Sequence, residues 1–316
     1  MPRVTVAICT YNRAGFLAES IRSALNQTYR DMKVVVFDDC STDNTEDIVR
    51  SFGDEVEYIR NEQNLKLFGN MNKVIDMCDT EYLNVFHDDD RMFPYMIEKL
   101  VEALDANLSA GIAASCELHF LSKRDGIWES AKIPDPPNGT PCVLFNKNEY
   151  VRYILRVGGR HNLVHPSIML RKRSIDEVNM RYCEERGAAL DMYFFLETNS
   201  KGIPLIALPF PLLEYRLHES SISSTAGYEK FIADFKKIDD LISGLELGED
   251  MRPMRGHTAW VVVRTAAASM KEPLDLKALR ALRNRLKKEY NWYLPEALFS
   301  NVVRERQKKL RTEKNH

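Results

Sequence analysis

The sequence predicts an α/β fold in which a parallel sheet is covered by helices. Three observations carry this. Short apolar, β-branched runs alternate with amphipathic segments through the first hundred residues. The runs themselves, such as "KVVVF", are apolar on both faces, as strands buried on both sides are. Polar and acidic clusters follow four consecutive runs, at the carboxyl edge where open parallel sheets bind ligands.

Each element has its own reason. "RVTVAI" (Arg3 to Ile8) is a first strand, and "AGFLAESIRSALNQ" places Phe16, Leu17, Ile21, Ala24 and Leu25 on one helical face. Lys33 to Phe37 is a second strand. Asp43 and Glu46 have the spacing of an N-cap and its N3 partner ahead of "DIVRSF". Glu55 to Ile59 is a third strand, "NMNKVIDMC" a helix, and Tyr82 to Phe86 a fourth strand. This βαβαβαβ order implies parallel strands. The alternation then loosens. "MIEKLVEALDAN" is an amphipathic helix, and "GIAAS", "ELHFLS", "SIML", "IPLIAL" and "LLEYRL" are strand candidates. Four prolines and a glycine make Ile133 to Pro141 a loop, and from Tyr228 the pattern is helical to the end.

Bulk properties narrow the function classes. Hydrophobic residues make up 44% and charged residues 28% of the 316, an ordinary globular balance. A formal net charge of −2 gives no global field for nucleic acid. Nothing approaches the roughly 18 consecutive apolar residues of a membrane span, and the N-terminus has no signal-peptide core, so the cytoplasm is the expected compartment. The six cysteines form no C-x-x-C pair and read as free thiols.

The carboxyl edge carries "CTYNR" (Cys9 to Arg13), "DDCSTD" (Asp38 to Asp43), "RNEQNLK" (Arg60 to Lys66) and "HDDDR" (His87 to Arg91). One such cluster would pass for a capping turn, since Asp, Ser, Thr and Asn favour turns. Four on one edge point to a site. Three adjacent aspartates after a buried strand are tolerable when a cation sits among them. A hard cation such as Mg²⁺ or Mn²⁺, held by one or two Asp, keeps positions open for a diphosphate. The alternative is a solvated acidic loop.

These residues resemble a family. "VTVAICTYNRAGFLAESIRSALNQTYRDMKVVVFDDCSTDNT", "NLKLFGNMN" and "HDDDRMFP" look like the opening of the family-2 inverting glycosyltransferases. "HPSIMLRKRSIDEV", "LDMYFFLETNSKG" and "LLEYRLHESSIS" extend the resemblance, which spans roughly residues 3–222. It implies a GT-A, Rossmann-like mixed sheet with flanking helices and a helical C-terminal extension. Residues 1–105 would form the nucleotide-sugar half, 106–225 the acceptor half and 226–316 the extension. It also implies roles. Thr10, Tyr11, Asn12 and Arg13 match the first nucleotide-contacting turn, and Asp39 the aspartate that meets the base, uracil in many members. Asn64 and Asn72 match an N-x-G-x-x-x-x-x-N segment in which Lys66 replaces the glycine and could meet a phosphate. In "HDDD" Asp89 matches the main metal ligand, with Asp88 and Asp90 in support. His87 stands where the family has its first Asp, which alters the ribose contact and leaves metal binding to Asp89.

Chemistry follows the same assignment. A nucleotide diphosphate leaves with growing negative charge, which Mg²⁺ or Mn²⁺ stabilises. Asp191 in "LDMYFFLE" matches the general base that takes the acceptor hydroxyl's proton, although Leu190 replaces the Glu before it. As a plain structural residue Asp191 would be a helix N-cap. In "YRLHESS", Arg216 matches a phosphate contact and His218 a contact to metal or diphosphate. "GGRHN" and the proline-rich loop fall in the acceptor half. The expectation is transfer of a sugar from a nucleotide-diphosphate donor, with UDP the expected nucleotide, to a glycan, lipid-linked glycan or other hydroxyl. That chemistry belongs to polysaccharide or glycoconjugate synthesis.

Rival readings lack their marks. There is no G-x-G-x-x-G after strand one and no G-K-[ST] loop. A glycine-rich, Arg-bearing nucleotidyltransferase loop is missing too. His87 and Leu190 keep one alternative open, a catalytically inactive nucleotide-sugar-binding or scaffold protein of this family. The tail from Lys277 to His316 holds twelve Lys/Arg against four Asp/Glu, with Leu276, Leu279, Leu282 and Leu286 at helical spacing. That leucine face packs on the catalytic domain or on a second copy in a homo-oligomer; alternatively it lies on the inner face of an anionic membrane.

Overall fold

The computed structural model describes residues 1–124, 127–129, 133–157, 163–183, 190–216, 218, 227–245, 247–248, 250, 252–270 and 274–313. The "GGRHN" segment and the residues after His218 in "HESSIS" lie outside them, as do the side chains of Leu190 and Asp191. The chain divides into two compact units. The first comprises Met1–Asn148, Leu163–Glu184 and Phe194–His218; the second comprises Glu149–Asn162, Glu185–Tyr193 and Glu219–His316.

The first unit opens with the expected alternation. β1 (Val4–Thr10), α1 (Ala14–Leu25), β2 (Met32–Asp38), α2 (Thr45–Arg50), β3 (Val56–Arg60), α3 (Lys66–Met77) and β4 (Tyr82–His87) follow in order. The four strands are parallel, in the order β3-β2-β1-β4. β1 is buried along its whole length, which is why it reads as a continuous apolar run rather than an alternating one. α1 buries Ala14, Leu17, Ser20, Ile21 and Ala24. Phe16, expected on that face, is instead half-buried and turned toward the carboxyl edge.

Beyond β4 the sheet becomes mixed. After β5 (Arg91–Met92) and α4 (Met96–Ala106) come β6 (Ile112–Ser115), β7 (His119–Arg124), β8 (Ile127–Glu129) and β9 (Val143–Phe145). The helix α5 (Glu149–Val157) belongs to the second unit. β10 (Met169–Arg171), α6 (Lys172–Glu177), α7 (Leu190–Ser200), β11 (Leu205–Leu208) and β12 (Leu213–Arg216) follow. β10 inserts antiparallel between β4 and β6, giving eight strands in the order β3-β2-β1-β4-β10-β6-β11-β9. Asn84 of β4, fully buried, donates from Nδ2 to the Ile168 carbonyl at 2.7 Å and so ties the strand to the segment entering β10. A smaller sheet, β5-β12-β7-β8, carries Glu214 to Arg216 on β12. Residues 133–142 have no regular structure, as their prolines require.

Asp43 corrects a detail of the sequence reading. The N-cap of α2 is Asn44. Asp43 Oδ1 accepts from Thr45 N at 3.1 Å, and its Oδ2 accepts from Ala14 N at 3.0 Å. The carboxylate therefore satisfies an open N–H of α1, far away in sequence, as well as one beside it.

In the second unit, α8 (Tyr228–Ser243), α9 (Arg252–Ser269), α10 (Leu276–Tyr290) and α11 (Glu296–Glu313) join α5. α5, α8, α10 and α11 all pack on α9. Its buried Ala259, Ala266 and Ala267 allow close approach. Leu279, Leu282 and Leu286 of α10 are buried within the chain, and Trp292 is 1% exposed. The leucine face thus needs neither a second copy nor a bilayer to cover it. Among the described residues no helix is long and apolar enough to cross a membrane.

Arg171 shows how the mixed part of the sheet is pinned. Its Nε donates to the Ala110 carbonyl at 2.9 Å, Nη2 to the Leu104 carbonyl at 2.8 Å and Nη1 to the Tyr82 hydroxyl at 3.0 Å. The residue is 5% exposed, so losing it leaves buried acceptors unmatched. Arg171→Ala is expected to destabilise the fold by about 3–5 kcal/mol, and Arg171→Lys, which cannot reproduce the fork, to recover less than half. Urea unfolding of the three proteins checks this.

Candidate functional site

The carboxyl edge of β1 to β4 is built from turns that tie one another down. Asp39 N donates to the Thr10 carbonyl at 2.9 Å, joining the turns after β1 and β2. Asn12 Oδ1 accepts from Thr42 N at 2.7 Å, and Asn12 N donates to Ser41 Oγ at 2.9 Å. Asp39 Oδ1 accepts from Asn61 Nδ2 and from Leu65 N, both at 2.8 Å, which brings in the turn after β3. Asn12, Cys40 and Lys66 have φ of 52°, 66° and 62°, one in each of these three turns. Left-handed backbone at non-glycine residues is costly, and it clusters where a site needs a particular shape. Lys66 thus holds a left-handed conformation that glycine adopts freely, at about 1 kcal/mol of strain. Asn64 Oδ1 accepts the Lys66 N–H at 2.7 Å.

The fourth turn carries the acids. Asp88, Asp89 and Asp90 follow β4 directly and are all buried. Arg13 Nη1 bonds Asp89, and it reaches Asp88 Oδ1 at 3.4 Å. His218 Nε2 lies 2.9 Å from Asp89 Oδ2. Asp90 Oδ1 accepts the Arg216 main-chain N–H at 2.9 Å. Phe16, drawn off the core face, lies under these groups: its ring centroid is 4.8 Å from the His218 ring and 4.8 Å from the Arg216 guanidinium.

Electrostatics separates the three carboxyls. Burial, then the charge of Asp89, pushes Asp88 up from the usual range, against the pull of Arg13. Burial also opposes ionisation of Asp89, but His87, Arg13 and His218 together outweigh it and hold Asp89 below its ordinary value. Asp90 is pushed well above, by burial and by Asp89. Asp89 is therefore the carboxylate held ionised, and its neighbours are the ones an added cation would deprotonate.

The residues fit a divalent cation. His87, Asp89 and Asp90 each present one ligand atom, and these atoms lie within 4.8 Å of one another. Among the described residues Asp90 Oδ2, which is buried, has no hydrogen-bond partner, a state that a carboxylate oxygen avoids unless something else satisfies it. His87 is the member that sequence reasoning did not assign to the metal. Its signal was available, since an imidazole two and three residues before two aspartates offers a mixed N/O ligand set.

The other expected residues divide. Tyr11 is 45% exposed beside this edge. Arg216 is 2% exposed, and its Nη2 pairs with Glu19 Oε2 at 2.6 Å, so its clearest service to the site is the main-chain bond to Asp90. Asn72 has both ends of its amide on the main chain of Tyr182: Nδ2 donates to the carbonyl, and Oδ1 accepts the N–H, each at 2.8 Å. The structure gives Asn72 a clamping role. Asp191 lies inside α7, not ahead of it as an N-cap would.

Comparison with known proteins agrees with this architecture. An uncharacterized glycosyltransferase of Haemophilus influenzae is 27% identical over 234 residues, covering 72% of this chain and 70% of the relative. S. aureus TarS 1–349, solved with UDP-GlcNAc, superposes with a TM-score of 0.58 at 18% identity, covering 99% of this chain and 90% of that one. The mannosyltransferase PcManGT of Pyrobaculum calidifontis, solved with GDP-Man and Mn²⁺, gives 0.57 at 16% identity, covering 97% and 87%. At these identities the structural likeness is one of fold, and the fold is GT-A. The profile of "Glycosyl transferase family 2" matches residues 5–178, which span every turn of the edge just described, and the chain belongs to that family.

Proposed function

We propose that the protein transfers a sugar from a UDP-sugar to an acceptor hydroxyl with inversion, using Mg²⁺ or Mn²⁺. The observation that carries this is the convergence of His87, Asp89 and Asp90 at the end of β4, with Asp90 Oδ2 buried and unmatched among the described residues. In this reading Asp89 and Asp90, with His87 or His218, hold the cation. Thr10, Tyr11, Asn12, Arg13, Asp39, Lys66 and Asp88 form the nucleotide-sugar cradle. Arg216 and Asn72 keep that cradle in shape. Residues 1–105 serve the donor, 106–225 the acceptor, and 226–316 extend the domain. Bound at the acids, the cation supplies positive charge for the diphosphate oxygens.

The chain's own residues do the remaining work. Arg13 keeps Asp89 ionised, and Lys66 offers an ammonium to the phosphates. Asp191 accepts the proton of the acceptor hydroxyl as its oxygen attacks the anomeric carbon. The C–O bond to the diphosphate breaks from the opposite face, and the nucleotide diphosphate leaves with the electron pair. One displacement inverts the anomeric centre. The choice of UDP follows the family resemblance of the Asp39 turn; the fold neighbours TarS and PcManGT were solved with UDP-GlcNAc and GDP-Man respectively. The six free cysteines support a reducing, cytoplasmic site of action, where the products would be glycoconjugates or polysaccharide.

Thermal stabilisation by a panel of UDP-, GDP- and dTDP-sugars, with Mn²⁺ and with EDTA, tests the donor. A metal-dependent shift with UDP-sugars is expected; a shift with GDP-mannose alone would overturn the nucleotide assignment. Asp89→Ala is expected to abolish that metal-dependent shift while the circular dichroism spectrum is kept, and an undiminished shift would refute the metal site.

Asp191→Asn separates binding from chemistry. A general base acts in the transition state, so turnover should fall by about 10²-fold or more while donor affinity changes little. Near-normal turnover would refute the base. NMR of the product reports the anomeric configuration, and retention would refute the single displacement.

A further inference from the structure

The second unit carries 23 Lys/Arg against 17 Asp/Glu, and the excess is gathered near the C-terminus. On α10 the buried stripe is Leu279, Leu282 and Leu286. Helical spacing of three and four puts Lys277, Arg280, Asn284, Lys287 and Lys288 on the opposite face. All five are exposed. The ion pairs of this helix belong to Arg283, with Glu296, and to Arg285, with Glu229 and Glu289. None of the four cations on the outward face pairs with a described acid. The helix's opening acid, Asp275, is spent on a cap, accepting from Ala278 N at 2.9 Å.

An aromatic ring adjoins this face. The Lys287 ammonium lies 5.3 Å from the centroid of Tyr293, which is 49% exposed. A face of exposed cations that pair with no described acid, with an exposed tyrosine at one end, is the composition of a surface that meets lipid headgroups. Cations there are drawn to acidic lipids, and a tyrosine ring sits at headgroup level. Single-stranded nucleic acid would call for aromatic rings interleaved among the cations, and this face has one ring at its end.

We propose that the outward face of α10 docks the protein on an anionic lipid bilayer by charge, without insertion of the helix. The apolar stripe that an inserting amphipathic helix would bury in lipid is already buried in the protein. Attachment is therefore peripheral, reversible and governed by salt. This inference does not rest on the transferase reading, because vesicle binding is measured without donor or acceptor and can fail while transfer stands.

The test is flotation of the full chain with phosphatidylcholine vesicles, with and without one-third phosphatidylglycerol, at low and at physiological salt. Binding to the phosphatidylglycerol vesicles alone, weakened severalfold by salt, is expected. The triple variant Lys277→Glu, Arg280→Glu, Lys288→Glu changes exposed side chains only. It should lose binding more than a hundredfold, at about fivefold per cation neutralised, with its melting temperature and donor-induced shift retained. Absence of binding at low salt, equal binding to neutral vesicles, salt-resistant binding, or undiminished binding by the variant would each overturn the proposal. So would binding to single-stranded RNA as tight as to the acidic vesicles.

Discussion

Three carboxyl groups on adjacent residues, all buried, are the constraint around which the first unit is arranged. Asp88, Asp89 and Asp90 cannot all ionise in one small volume without positive charge to meet them. The fold brings partners from two distant places. Arg13 comes from the turn after β1, and the Arg216 main-chain N–H and the His218 ring come from the end of β12. Each is delivered by a strand or turn whose own position depends on the sheet. The site and the mixed topology are therefore one arrangement. β12 must lie beside β5 for Asp90 to be met, and β1 must lie beside β4 for Asp89 to be met.

The same edge stores strain. Asn12, Cys40 and Lys66 hold left-handed backbone in three successive turns, stabilised by hydrogen bonds that run between the turns. Such a network costs backbone energy locally and returns rigidity to a surface that must present N–H groups and carboxylates in a set shape. Asp39 illustrates the double duty. One oxygen holds Asn61 and Leu65 in place, so a base contact made by the same side chain would be orientated before any nucleotide arrives.

Charge is divided between the units. The first unit contains 29 Asp/Glu against 21 Lys/Arg, while the second reverses the balance with 17 against 23. The near-zero total conceals both. Among the acids of the first unit, Asp88, Asp89 and Asp90 stand together and buried at the end of β4. Cations in the second line a helix face whose opposite side is committed to the core. Net charge over a whole chain says little when each half has its own use for charge.

Local pattern determined a great deal. The strands β1 to β4, their helices and the acidic turn after β4 were legible because each is written in consecutive residues: apolar runs buried on both faces, helical spacing, and polar clusters at run ends. Motifs spaced in order pointed to the family, and its profile matched them. What the tertiary structure decided is everything that depends on residues far apart. Asp43 serves α1 as well as the turn before α2, because a helix N-terminus from elsewhere lies within reach of its carboxylate. Phe16 stays off the buried face of its helix and packs instead against the His218 ring and the Arg216 guanidinium, about 200 residues away. Asn72 is consumed by Tyr182, 110 residues away. The tail's leucines could have faced lipid, a partner or the protein itself; periodicity specifies a face, and only packing specifies what covers it.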